Sequence, residues 1–216
     1  MLPFTREQFT AVFVDYNVAI WPAQVVAYGL GLLMVGAVLR PSPASQRLVS
    51  AGLALMWVWT GFAYHGLFFA TINPAALGFG MLFVVQGALF AYLGVARHRL
   101  CFGPAAGAPG WLGWSLVAYA AALYPLLGVW AGHGYPQLPM FGITPCPVTL
   151  FTLGLLLLTT APVPRALLAI PLAWSLLGGS AAFLLGVAQD WPLLFSGTAT
   201  VLLMWRDRRP RVPART

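Results

Sequence analysis

Charged residues are scarce in this chain, and lysine is absent. Among its 216 residues are 11 arginines, four carboxylates, three histidines and two cysteines, so only 7% are charged whereas 60% are hydrophobic. Without lysine no retinal Schiff base can form, which excludes a rhodopsin-type pigment. Three histidines are too few for two haems with two histidine ligands each. The Gly-x-Ser-x-Gly and P-loop motifs are also missing, which removes two common enzyme classes.

Seven apolar stretches, joined by short links, take up nearly the whole chain. A helix needs about 20 apolar residues to cross a bilayer, and these stretches have that order of length. The sequence therefore predicts an all-α integral membrane protein, a single transmembrane domain over residues 1–216 with seven transmembrane helices. The predicted spans are 19–39, 48–72, 75–96, 111–131, 147–163, 165–186 and 188–205.

The arginines lie almost entirely in alternate gaps between these stretches. Arginine excess marks cytoplasmic loops, so we expect the N-terminus outside and a basic cytoplasmic tail over 206–216. The net charge of +7 is spread over several loops, which indicates contact with anionic lipid headgroups rather than nucleic acid. The predicted cytoplasmic arginines are Arg40, Arg47, Arg97, Arg99, Arg165, Arg206, Arg208, Arg209, Arg211 and Arg215, and only Arg6 lies on the other side.

The first residues predict a short amphipathic helix over 5–17. Thr5 followed by Gln8 fits a capping box. The apolar residues Phe9, Val12, Phe13 and Tyr16 recur at helical spacing on one face. We expect this helix to lie in the outer membrane interface.

The two halves of the chain share several positions. At a spacing of 117 residues stand the pairs Trp57 and Trp174, Gly61 and Gly178, and Asn73 and Asp190. This pattern favours a three-plus-one-plus-three arrangement with parallel repeats about an axis along the membrane normal. Chance similarity in a leucine-rich sequence is the alternative interpretation.

Gly80, Gly87 and Gly94 recur every seven residues in the third predicted span. A stripe of small residues lets two helices approach closely in lipid. The stripe is interpreted as a packing face, which also offers a surface for an oligomer.

Polar residues collect near the predicted outer ends of the helices. Polar groups in or near a membrane are costly, and they commonly face a cavity or a partner. We therefore expect an outward-facing polar vestibule. Alternatives remain for its members: His65 as a neutral imidazole bonded to a neighbouring helix, Gln86 as a bond across a helix interface, and Asp190 as a helix N-cap. The predicted ligand-binding residues are Asp15, Tyr64, His65, Asn73, Gln86 and Asp190.

A second set of residues has the chemistry of a metal site. His65, His133 and Cys146 lie on the predicted outer side, and their nitrogen and sulfur ligands suit a transition metal or haem. Cys146 stands between Pro145 and Pro147, where a helix is expected to begin, and a thiol at a helix N-terminus has a lowered pKa. The alternative for Cys146 is a small apolar residue at a helix end.

The whole chain resembles a family of bacterial multi-pass membrane proteins of unknown function. The resemblance rests on Phe4 to Phe9, Tyr16-Asn17 with Trp21 to Gln24, Tyr64-His65 through Phe68-Phe69, Ile72 to Ala76, Cys146-Pro147 with Thr149 and Phe151-Thr152, and Trp174 to Leu176. It implies a location in the bacterial inner membrane and no particular activity. The half-repeat layout is similar to that of PQ-loop and small sugar-uniporter carriers, although their paired substrate asparagines have no match here.

Three functions follow as hypotheses. The first is a small-solute or ion carrier, or a ligand-binding protein, with the outward vestibule as its site. The second is a metal- or haem-dependent membrane redox protein or enzyme that uses His65, His133 and Cys146. The third is a structural or assembly factor in a membrane complex.

Overall fold

The computed structural model describes residues 3–206, and these residues form helices without a β-strand. The only strand-like pairing among them is an isolated bridge between Phe102 and Thr159. Of the predicted basic tail only Arg206 lies within the described residues. The helices are α1 (Arg6–Ala19), α2 (Ala23–Leu39), α3 (Pro43–Trp59), α4 (Ala76–Leu89), α5 (Gly107–Ala118), α6 (Tyr124–Trp130), α7 (Pro145–Leu157), α8 (Ala166–Leu185) and α9 (Trp191–Arg206).

Three of these helices continue in π-helical geometry. π-Helical segments follow α3 at Thr60–Phe68 and α4 at Phe90–Ala96, and another joins α5 to α6 at Tyr119–Leu123. Short 3-10 turns stand at Phe69–Thr71 and Ala188–Asp190. The helical segments overlap all seven predicted spans.

Length and apolarity support fewer crossings than the seven predicted. Four continuous helical stretches within residues 3–206 are long and apolar enough to cross a membrane: Pro43–Thr71, Ala76–Ala96, Gly107–Trp130 and Ala166–Leu185. Helices α1 and α2 together form a fifth candidate span if the two helices, which meet at a bend of 83°, are counted as one. The first predicted span, 19–39, therefore starts too early, because the chain turns between Ala19 and Ala23.

Helix α7 is short and central. Its 13 residues are buried apart from Cys146, which is partly buried. A helix that is apolar on every side is stable when other helices surround it, and α3, α5, α8 and α9 do so here. At 1.5 Å per residue α7 is only about 20 Å long. The predicted span 147–163 was too long, since Pro162 and Pro164 cannot continue a helix.

The glycine stripe of α4 packs against α3 of the same chain. A Cβ atom on Gly80 would lie 2.7 Å from the carbonyl oxygen of Gly61, and one on Gly87 would lie 2.8 Å from that of Ala54. Gly94 packs likewise against Ser50. The predicted packing face is present, but it is filled by the chain itself rather than offered to a second copy.

Connections from alternate gaps meet at one end of the bundle. The side-chain amide of Gln46 donates to the Phe102 carbonyl oxygen at 2.9 Å. The backbone N–H of Thr160 donates to the Cys101 carbonyl oxygen at 2.7 Å. The connections before α3, after α4 and after α7 therefore lie together, and they carry most of the described arginines.

Helix α1 covers the opposite end. The helix runs over Arg6–Ala19, and the predicted capping box between Thr5 and Gln8 is present. We had expected its apolar face to lie against lipid. Instead, that face packs on the helix bundle. The hydroxyl group of Tyr16, which is fully buried, donates to the Ile143 carbonyl oxygen at 2.7 Å.

Candidate functional site

A cavity of about 220 Å³ lies beneath α1, between the π-helical segment after α3, the start of α4, the start of α7 and the end of α8. An apolar cavity of about 150 Å³ holds a benzene molecule, so this one has room for a single ring with a short substituent. Its aromatic walls are Phe4, Phe9, Phe13, Tyr64, Phe69, Phe79 and Trp174. Its polar members are His65, Asn73, Cys146 and Asp190.

The π-helical segment brings two neighbouring residues, Tyr64 and His65, to the same cavity. Just after it, the backbone N–H of Phe69 donates to the carbonyl oxygens of both. Gly61, within the segment, allows α4 to approach closely, because its Cβ would lie 2.6 Å from the Gly80 carbonyl oxygen. π-Helical turns are frequent at functional sites. Nothing in the sequence pattern predicts this one.

His65 is fully buried, and neither ring nitrogen has a hydrogen-bond partner within the described residues. Its ring lies 4.8 Å from that of Phe83 and 5.1 Å from that of Trp174, measured between centroids. A neutral imidazole carries one donor and one acceptor, and leaving either unpaired in a buried place is costly. The bond to a neighbouring helix, considered from the sequence, is not formed.

The indole N–H of Trp174 is also buried and has no oxygen acceptor in this part of the chain, and the Cys146 thiol is its polar neighbour. The Trp174 ring meets Phe79 edge-on, with centroids 5.5 Å apart. One turn later, Gly178 leaves room beside the indole, because a Cβ there would lie 3.0 Å from Nε1. On this wall His65 is therefore the residue with both nitrogen atoms unpaired.

Asp190 supplies a carboxylate that is only 6% exposed. The Tyr124 hydroxyl donates to its Oδ1 at 2.6 Å, and the Cys146 thiol lies beside it. The carboxylate of Asp190 therefore accepts a hydrogen bond from a tyrosine of α6. From the sequence, the alternative role for Asp190 was that of a helix N-cap.

Asn73 lines the cavity and also shapes the chain locally. Its Oδ1 accepts a hydrogen bond from the backbone N–H of Ala75 at 3.2 Å. This turn leads into α4 at Ala76. Of the predicted ligand-binding residues, the structure brings Tyr64, His65, Asn73 and Asp190 together around one cavity.

Gln86 does not line the cavity. Its side-chain amide, fully buried, donates to the Leu167 carbonyl oxygen at 3.1 Å. That carbonyl lacks its usual helical donor, because residue 171 of α8 is a proline and has no N–H. Gln86 therefore serves the second role that the sequence left open, a bond across a helix interface.

Asp15 and His133 are exposed, and neither lines the cavity. His65 and Cys146 do share it, so the structure assembles two of the three predicted metal ligands. Among residues 3–206 no group of three His, Cys, Asp or Glu side chains is placed to hold a metal ion. The triad of His65, His133 and Cys146 is therefore not formed there.

A family profile matches residues 6–214, which is nearly the full length. The chain belongs to DUF6064, a family of unknown function. The resemblance seen in the sequence is thereby confirmed as far as a family of unknown function. No curated protein and no solved structure matches the chain.

Sequence reasoning missed the aromatic walls of this DUF6064 cavity. Phe9 and Phe13 were assigned to a lipid-facing surface, and Trp174 was noticed in the repeat and in the family resemblance but not as part of a site. Phe4, Phe69 and Phe79 were not assigned to a site either, because aromatic residues are common throughout apolar helices. The signal available was the pair Phe9 and Phe13 on the apolar side of α1, which line the cavity.

Proposed function

We propose that this DUF6064 protein is a multi-pass membrane protein that binds a small, largely apolar molecule in the cavity beneath α1. The proposal is carried by His65, which is fully buried at the cavity wall with both ring nitrogens unpaired. Buried polar groups nearly always have hydrogen-bond partners. A bound molecule with one polar group supplies the missing partner.

The membrane assignment rests on several apolar helices and on the arginines. Four to five helical stretches of residues 3–206 meet the length and apolarity of a span. We extend this to seven crossings, with α7 in the centre of the bundle and shielded from lipid. Because the arginine-bearing connections meet at one end, we place that end in the cytoplasm and α1 with the cavity outside.

The lining defines the size and polarity of the ligand. Seven aromatic rings surround a space of about 220 Å³, which matches a monocyclic compound with a short arm. The unpaired nitrogen atoms of His65 call for a hydrogen-bonding group on that arm. Sites of this kind are mostly apolar, with few polar groups that fix the ligand's orientation.

Fluorine NMR of para-fluorobenzyl alcohol with the full-length protein in nanodiscs tests this function. Ala181 of α8 lines the cavity, whereas Ala173 of the same helix is exposed and does not. We expect Ala181→Phe to fill the space and abolish specific broadening of the probe signal, and Ala173→Phe to leave it unchanged. Binding that is absent, or that survives Ala181→Phe, refutes the proposed site.

Transport is the finer form of this proposal. The pairing of Gly61 with Gly80, and of Ser175 with Gly197, places close helix contacts in both halves, and Gly80 and Gly197 keep the 117-residue spacing. Such a layout suits a carrier with two parallel repeats. Uptake of the bound probe into proteoliposomes, sensitive to Ala181→Phe, is the expected result, and binding without uptake restricts the function to ligand binding.

A further inference from the structure

The residues that line the cavity include a negatively charged side chain but no arginine or lysine. The negative charge is the carboxylate of Asp190, one of 18 lining residues, and lysine is absent from the whole sequence. The nearest partners of Asp190 within the described chain are neutral: the Tyr124 hydroxyl at 2.6 Å and the Cys146 thiol. Buried charges are normally paired with a charge of opposite sign or bound to a metal. Asp190 has neither.

The aromatic walls provide a second, independent feature. Phe13 and Tyr64 are stacked at 5.4 Å between centroids, Tyr64 and Phe69 at 5.8 Å, and Phe9 meets Phe69 edge-on at 5.9 Å. Aromatic faces attract cations within about 6 Å of the ring centroid, and clusters of such rings recognise organic ammonium groups. Neither feature depends on the other.

His65 fits the same ligand. A neutral imidazole nitrogen accepts a hydrogen bond from an ammonium group, and His65 has an unpaired acceptor at the wall. A carboxylate or phosphate ligand would instead meet Asp190 without any arginine to balance the charge. A metal ion is disfavoured because no three side chains of the ligating types come together in residues 3–206.

We propose that the molecule bound in the cavity is an organic monocation, an amine of about one ring in size. Asp190 pairs with its ammonium group, the phenyl and phenol rings surround its body, and His65 accepts one of its N–H groups. This inference rests on the proposed ligand-binding function and specifies its ligand class. Ligand recognition in this chain then requires one carboxylate, one neutral histidine and no arginine.

Three probes of equal shape and different charge test the inference on the full-length protein in nanodiscs. The probes are para-fluorobenzylamine, para-fluorobenzyl alcohol and para-fluorobenzoate, with dissociation constants measured by fluorine NMR. We expect the amine to bind roughly tenfold more tightly than the alcohol, and the benzoate to bind more weakly than either. Because this comparison uses the unmodified protein, it stands even where a variant fails to fold.

The matched variants are Asp190→Asn and Asp15→Asn, since Asp15 is an exposed carboxylate outside the cavity. Asp190→Asn should remove the preference for the amine over the alcohol, and Asp15→Asn should leave the dissociation constants of both probes unchanged. Alcohol binding without a preference for the amine overturns the organic-cation inference and leaves the proposed function standing. A preference that survives Asp190→Asn also overturns it. Absence of binding for all three probes overturns both proposals.

Discussion

Replacing His65 by phenylalanine removes the two unpaired nitrogen atoms from the cavity wall while keeping a flat aromatic ring. The imidazole is surrounded by rings whose centroids lie 4.8 Å away at Phe83, 5.1 Å at Trp174 and 5.2 Å at Tyr64. A phenyl ring is compatible with these neighbours. We therefore expect His65→Phe to stabilise the empty protein and to weaken binding of the benzyl alcohol probe.

The expected magnitude follows from the two nitrogen atoms. A buried donor or acceptor without a partner costs about 1–3 kcal/mol, and His65 has one of each in its neutral form. Overpacking by the larger ring costs about 1–3 kcal/mol, and the adjacent cavity of about 220 Å³ relieves part of it. The net gain should be about 1–3 kcal/mol.

Thermal unfolding in detergent measures this gain without added ligand. For a chain of this size each kcal/mol shifts the melting temperature by roughly 2–4 °C, so we expect a rise of roughly 5 °C. His133→Phe is the matched control, because His133 is exposed and surface substitutions usually change stability by no more than about 0.5 kcal/mol. A melting temperature lowered by His65→Phe, relative to His133→Phe, would show that the imidazole already has partners, and the binding argument would lose its basis.

Two other changes test the packing. Gly80→Ala should destabilise the protein by about 1–3 kcal/mol because its Cβ meets backbone. Gly78→Ala, on the same helix with open space around it, should be neutral or stabilising in thermal unfolding. Gln86→Leu should cost about 1 kcal/mol less in a Pro171→Ala background, which restores the missing helical donor, as a double-mutant cycle measures.

Equal destabilisation by Gly80→Ala and Gly78→Ala would contradict the close contact between α3 and α4. A cost of Gln86→Leu that does not depend on Pro171 would show that the amide has a role other than supplying the Leu167 carbonyl with a donor. These outcomes concern packing alone, so they leave the proposed ligand untouched.

The helices and their order could be predicted from the sequence because apolar runs and helix-start residues act locally. The Thr5 and Gln8 capping box and the glycine stripe of α4 both follow from neighbours within a few residues. Length and apolarity of the described helices support four to five spans, and seven spans stay a prediction. Apolarity alone does not distinguish a helix surrounded by lipid from α7, which is surrounded by other helices.

The vestibule could be predicted only in part. Tyr64, His65, Asn73 and Asp190 were selected from their polarity and position, and the structure places them around one cavity. Gln86 met the same criteria, yet its side-chain amide donates to the Leu167 carbonyl oxygen, which Pro171 leaves without a helical donor. A single sequence does not show which distant backbone group needs a donor.

The helical, apolar and arginine-rich character of this chain could be predicted from the amino-acid sequence alone. These properties depend on composition and short-range periodicity. The tertiary structure decided where the apolar side of α1 packs, which of the buried polar groups remain unpaired, and that Asp190 meets Tyr124 of α6. These depend on contacts between residues far apart in the chain. The cavity exists because aromatic rings from α1, α4 and α8 meet around His65 without filling the space between them.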